Sequence, residues 1–160
     1  MADAKQVLDA ARAKGWRIAT AESCTGGLIA SALTEVAGSS DVVECGFVTY
    51  SNQAKQDMLG VCANSLESFG AVSEEVAREM ALGARRASGV DIVVSVTGIA
   101  GPGGSEFKPE GMVCFAVATA QGVETGVETE TVQFGALGRS QVRQATVAHA
   151  LDLLLKTILS

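Results

Sequence analysis

The hydroxyls and glycines of Ala21-Glu22-Ser23-Cys24-Thr25-Gly26-Gly27 are the first residues whose types and order could do chemistry. They follow an apolar run and precede a segment in which Leu28, Ile29, Ala32, Leu33 and Val36 recur at helical spacing. A hydroxyl at such a helix mouth lies among unpaired backbone N–H groups and partial positive charge. Ser23 could therefore act as a nucleophile while amides of Thr25, Gly26 and Gly27 hold an oxyanion. The same residues suit an ordinary helix cap with glycines that merely permit the turn. Cys24 is intrinsically the stronger nucleophile, but neighbours on a turn usually point apart, so only one of the two can attack.

A second cluster is Thr49-Tyr50-Ser51-Asn52-Gln53-Ala54-Lys55. Tyr50 ends an expected strand, and Lys55 follows about a turn and a half of helix later, so both could reach one cleft edge. A serine hydrolase without histidine needs another base, and a Ser–Lys pair is one solution. The lysine must then be neutral: lowering its pKa from about 10.4 to about 7 costs roughly 4–5 kcal/mol, which burial can supply. Tyr50 could relay the proton or donate to the leaving nitrogen. The competing expectation is a solvated lysine and a tyrosine packed on the sheet edge.

The third is Thr97-Gly98-Ile99-Ala100-Gly101-Pro102-Gly103-Gly104-Ser105. It follows a buried apolar run, where open α/β sheets place ligands. Its spacing is neither that of a phosphate-binding P-loop nor that of a dinucleotide fingerprint. Its amides could bind a phosphate or carboxamide, and a plain surface loop fits equally. Arg139 and Arg143 stand one helical turn apart at the start of the last helix, where one could bind phosphate or both could form salt bridges. His149 falls on the side of that helix away from Val147, Leu151 and Leu154, which predicts a surface residue. Glu124, Glu128 and Glu130 predict a solvated strand face.

The elements that must position these groups follow from periodicity and punctuation. Helices are predicted over Asp3–Lys14, Leu28–Val36, Ala54–Leu59 and Arg139–Leu159, with another capped by Ser73 that carries Val76, Met80 and Ala84 inward. Strands are predicted over Arg17–Ala21, Val42–Tyr50, Asp91–Val96, Met112–Ala120 and Val123–Phe134, the last two joined as a hairpin near Gln121-Gly122. About five strands interleaved with helices predict a three-layer α/β/α sandwich with a mixed, mostly parallel sheet. The 160 residues fit one domain, residues 1–160.

Composition limits the partners. The net charge of −6 argues against a nucleic-acid surface. Cys24, Cys45, Cys62 and Cys114 have no metal-site spacing, and His149 is the only histidine, so no zinc site with two histidines can form. Reduced thiols and the absence of a signal peptide predict a cytoplasmic location, and no apolar run is long enough to predict a membrane span.

Taken together, these segments resemble the nicotinamide-nucleotide amidase family, which includes the C-terminal domain of the competence/damage-inducible protein CinA. The resemblance rests on Ala21–Gly27; on Gly46-Phe47-Val48-Thr49-Tyr50-Ser51-Asn52 with Lys55; and on Gly70-Ala71-Val72-Ser73. It continues in Thr97-Gly98-Ile99-Ala100-Gly101-Pro102 with Lys108-Pro109-Glu110-Gly111, and in Arg139 and Arg143. It implies an α/β/α fold, no cofactor or metal, and hydrolysis of nicotinamide mononucleotide to nicotinate mononucleotide and ammonia. It places the nucleophile at Ser23 with partners at Tyr50 and Lys55. On that reading Thr25, Gly26 and Gly27 surround the oxyanion, and Thr97, Gly98, Ala100, Gly101 and Arg139 hold ribose and phosphate. Only the amidase half of the longer CinA proteins is expected here, and the reading is compatible with a homo-oligomer. The alternatives are a nucleotide-binding sensor or assembly module without turnover, and a Ser–Lys amidase acting on another small amide.

Overall fold

The computed structural model describes residues 1–120 and 126–160. Its elements run α1 (Ala4–Lys14), β1 (Ile18–Glu22), α2 (Leu28–Thr34), a short 3-10 turn (Ser39–Asp41), β2 (Val43–Val48), α3 (Asn52–Leu59), α4 (Ala63–Phe69), α5 (Glu74–Ser88), β3 (Ile92–Gly98), β4 (Met112–Thr119), β5 (Gly126–Gln133) and α6 (Arg139–Leu159). The strand order is β2-β1-β3-β4-β5. β1 pairs parallel with β2 and with β3, whereas β4 is antiparallel to both β3 and β5. Four of the five strands therefore point the same way.

Alternation along the central strands sorts two cores onto the two faces. Ile92, Val94 and Val96 of β3, with Val113, Phe115 and Val117 of β4, pack against α1, α2 and α6. Val93, Ala116 and Ala118 face the other way, against Leu59, Leu66, Val76, Met80 and Ala84 of α3, α4 and α5. The result is an α/β/α sandwich. α5 lies close to α3 because Gly83 has no side chain: a Cβ there would stand 1.8 Å from the Leu59 carbonyl oxygen.

The topology creates the site. From β1 the chain crosses through α2 to β2 on one side, then returns over the opposite face through α3, α4 and α5 to β3 on the other side. The two connections part at the C-terminal end of β1, the crevice in which open α/β sheets bind ligands. Three parallel strands end there together: β1 leads into Ser23, β2 into Thr49 and Tyr50, and β3 into the glycine-rich loop.

Several sequence expectations change. α4 has no counterpart among the predicted helices. β3 extends through Thr97 and Gly98, which pair with Cys114 and Val113 of β4 rather than opening the loop. The expected turn near Gln121-Gly122, and Val123 and Glu124, lie outside the described residues. His149 is half-buried rather than free on the surface. Its ring sits 4.6 Å from that of Phe115, near Phe134, and its Nε2 meets a Glu130 carboxylate oxygen. Phe115 of β4 and Phe134, just after β5, pack on a wider arc of α6 than the apolar stripe alone predicts. No described helix is long and apolar enough to cross a membrane.

Candidate active site

Ser23 directly follows β1 and starts the turn into α2. The Ser23 amide donates to the Val96 carbonyl (3.1 Å), and its own carbonyl accepts from the Gly26 amide (3.0 Å). The turn needs glycine at position 26, where φ is +59°. Arg143 holds the outer side: its guanidinium donates to the Cys24 and Thr25 carbonyls, each at 3.1 Å.

Lys55 reaches the same point from α3. The Ser51 hydroxyl caps that helix by accepting from the Ala54 amide, which places Lys55 on the helix's inward face. The lysine is 1% exposed and its Nζ donates to Ser23 Oγ at 2.9 Å and to the Thr49 carbonyl at 2.7 Å. Burial, opposed only by the nearby Cys24, pushes its pKa from 10.5 down to about 8. A neutral amine beside a hydroxyl can take its proton. Ser23 itself is 8% exposed, so its hydroxyl is open to a reactant on a narrow side only.

The Cys24 thiol does not compete for this role. Burial, aided by Glu22, pushes it up to about 11, so it stays protonated at neutral pH and lacks the nucleophilic thiolate.

Tyr50 lies apart from this pair. It is 62% exposed, and its hydroxyl accepts from Arg139 at 2.8 Å, not from Ser23 or Lys55. The other arm of Arg139 donates to the Gly101 carbonyl at 2.7 Å. Arg139 thus ties the glycine-rich loop to the residue that follows β2. Around that loop, Thr97 is buried and its hydroxyl donates to the Ala71 carbonyl, Gly98 is packed against β4, and Ala100 is buried in the core. Glu110 braces the loop by accepting from the Gly103 and Gly138 amides.

Of the amides expected to hold an oxyanion, that of Gly26 is occupied by Ser23. Those of Thr25 and Gly27 have no acceptor among the described residues, but Thr25 is fully buried and only Gly27 is half-exposed. The Thr25 hydroxyl is also occupied, donating to Glu22 Oε1 at 2.5 Å. Glu22 is the feature that the sequence reading missed. This fully buried carboxylate also accepts from the amides of Ile29 (2.9 Å) and Ala30 (3.0 Å) and from the Thr20 hydroxyl (3.3 Å). Its signal in the sequence is a charged residue at the end of an otherwise buried strand.

Fold and site define an open α/β/α domain with a Ser–Lys pair at the C-terminal ends of its parallel strands. The chain belongs to the CinA C-terminal domain family, which it matches over residues 2–158. It is 50% identical over 151 residues to the nicotinamide-nucleotide amidohydrolase PncC of Escherichia coli (strain K12), covering 94% of this chain and 89% of that protein. A CinA-like protein of Syntrophobacter fumaroxidans is 49% identical over 155 residues, but the match spans only 35% of its length. The crystal structure of the competence/damage inducible protein CihA from Agrobacterium tumefaciens superposes with a TM-score of 0.92 at 48% identity. It covers 98% of this chain and 93% of that one.

Proposed function

We propose that this chain hydrolyses the carboxamide of nicotinamide mononucleotide, giving nicotinate mononucleotide and ammonia, with Ser23 as nucleophile and Lys55 as base. The observation that carries the mechanism is the contact between a buried, pKa-lowered Lys55 and Ser23 Oγ. The substrate is supported by the half-identical amidohydrolases matched over most of their length.

In the neutral form Lys55 accepts the Ser23 proton as the oxygen attacks the carboxamide carbon. The Gly27 amide, unpaired and half-buried, is available to the developing oxyanion. Lys55 then returns the proton to the departing nitrogen, ammonia leaves, and water activated by the same amine cleaves the acyl-enzyme. Arg139, exposed at the rim beside Gly101 and Tyr50, suits the phosphate. Binding there would hold the amide in line for attack. Tyr50 acts on this reading at the substrate's far side, through Arg139, rather than as the immediate base.

The test is ammonia release from nicotinamide mononucleotide by the purified chain and by Ser23→Ala. Release that the substitution leaves undiminished removes Ser23 from the role. Thermal stabilisation by the nucleotide without any release selects the non-catalytic sensor instead.

A further inference from the structure

The helix behind the nucleophile is capped from an unusual place. Gly27, which precedes α2, has φ +104° and no side chain with which to cap it. The amides of Ile29 and Ala30, second and third in α2, are the pair that a capping side chain ordinarily satisfies. Both donate to Glu22, seven and eight positions upstream, and Thr25 between them donates to the same carboxylate. Glu22 is bonded covalently to Ser23 on one side and by hydrogen bonds to the far end of the turn on the other. Arg143 holds the outward carbonyls of Cys24 and Thr25. The five-residue turn is thus fixed from inside by an anion and from outside by a cation.

We propose that Glu22 is a positioning residue for the hydrolysis: it sets the turn so that Ser23 Oγ meets Lys55 while the Gly27 amide stays unpaired at the half-buried end of the turn. A glutamine cannot take its place silently. Each carboxylate oxygen faces a backbone N–H, that of Ile29 or that of Ala30, so in either orientation the NH2 of a glutamine would confront a donor. The arrangement also closes the mouth of α2 to a substrate phosphate, because its amides already hold an anion.

This inference rests on the amidase reading for its kinetic test, so a second readout is independent of that substrate. Glu22→Gln and Thr25→Val are compared with the unaltered full chain, folding being checked by circular dichroism and thermal unfolding. Thr25→Val removes one contact to Glu22 and leaves both helix amides in place, so it carries the test if Glu22→Gln does not fold. For ammonia release, kcat falls about 10- to 100-fold, as for a small misplacement of a reacting group. KM stays within about twofold, because the binding groups are untouched. The rising limb of the pH profile also stays in place, since Lys55 remains buried and burial is what lowers it. For covalent modification of Ser23 by a fluorophosphonate, followed by intact mass, the rate falls by a similar factor. A folded variant with unchanged kcat and labelling rate overturns the proposal, as does a rise in KM at constant kcat. If the unaltered chain labels at Ser23 but releases no ammonia, the substrate reading fails, and slower labelling in the variants still supports Glu22. No labelling of Ser23 in the unaltered chain overturns the positioning role.

Discussion

Lys55 Nζ stands 2.9 Å from Ser23 Oγ although 32 positions separate the two residues. With burial holding the amine at about 8, only about a tenth of it is neutral at pH 7. The expected kcat/KM rises about tenfold per pH unit up to that value and then levels. Lys55→Met removes the base and the limb together, lowering kcat by about 10²- to 10⁴-fold. The rate of ammonia release across this range is the measurement. A profile that is flat between about pH 6 and 8 sinks the role of Lys55 in proton transfer.

The same lysine should write itself into stability. Its pKa is lower in the folded chain than the ordinary value of 10.5, so between about 8 and 10.5 the unfolded chain binds the extra proton. Stability then rises with pH across that window, and the penalty is fully present below it. The gap corresponds to roughly 3 kcal/mol. Lys55→Met is expected to be more stable than the unaltered protein at pH 7, offset in part by the Thr49 carbonyl left without its donor. That advantage should shrink toward pH 10. Urea unfolding at both pH values tests it, and an advantage that does not change with pH contradicts the assignment.

Tyr50 and Arg139 are predicted to act as one unit. The tyrosine hydroxyl has Arg139 as its partner, so Tyr50→Phe should lower kcat/KM by about 3- to 10-fold, the worth of one ordinary hydrogen bond, because solvent screens the charge at this exposed site. Arg139→Ala should act mainly on KM. The double variant should lose less than the product of the two single losses, since each removes the other's partner. Multiplicative losses would mean that the two residues contribute separately. A Tyr50→Phe loss as large as that of Lys55→Met would return the hydroxyl to the proton path.

The legible parts of the fold share one property: their signal is local. The buried runs of β1 and β3 and the periodic, glycine-preceded α6 declare themselves within a dozen residues. α4 does not, because of its seven residues only Leu66 is buried and no stripe forms. Thr97 and Gly98 read as loop because their partners, Cys114 and Val113, lie in the next strand, beyond the whole glycine-rich loop. At the site, Ser23 and Lys55 were visible as residue types that could serve each other. Tyr50 had the right chain position, but its hydroxyl points to Arg139. The Glu22 cap was invisible for a physical reason: caps are sought within three residues of a helix start, and this one is delivered by a neighbouring strand.

Gly83→Ala tests whether the seat of Lys55 depends on the packing beneath it. In an open helix this substitution would stabilise by about 1 kcal/mol through propensity alone. Here the added Cβ would stand 1.8 Å from the Leu59 carbonyl oxygen and 2.7 Å from its carbon. Backbone on the opposing helix cannot swing aside like a side chain, so α3 must move as a body. The expected net loss is about 2 kcal/mol, within the range for overpacked cores. For a chain of this size that lowers Tm by roughly 4–8 °C. Lys55 lies one turn before Leu59 on the same helix, so kcat should fall as well, by about tenfold or more for a displacement approaching 1 Å. Thermal unfolding and ammonia release measured on the same preparation decide the matter. A variant with raised Tm and full activity would mean that α3 yields without disturbing Lys55.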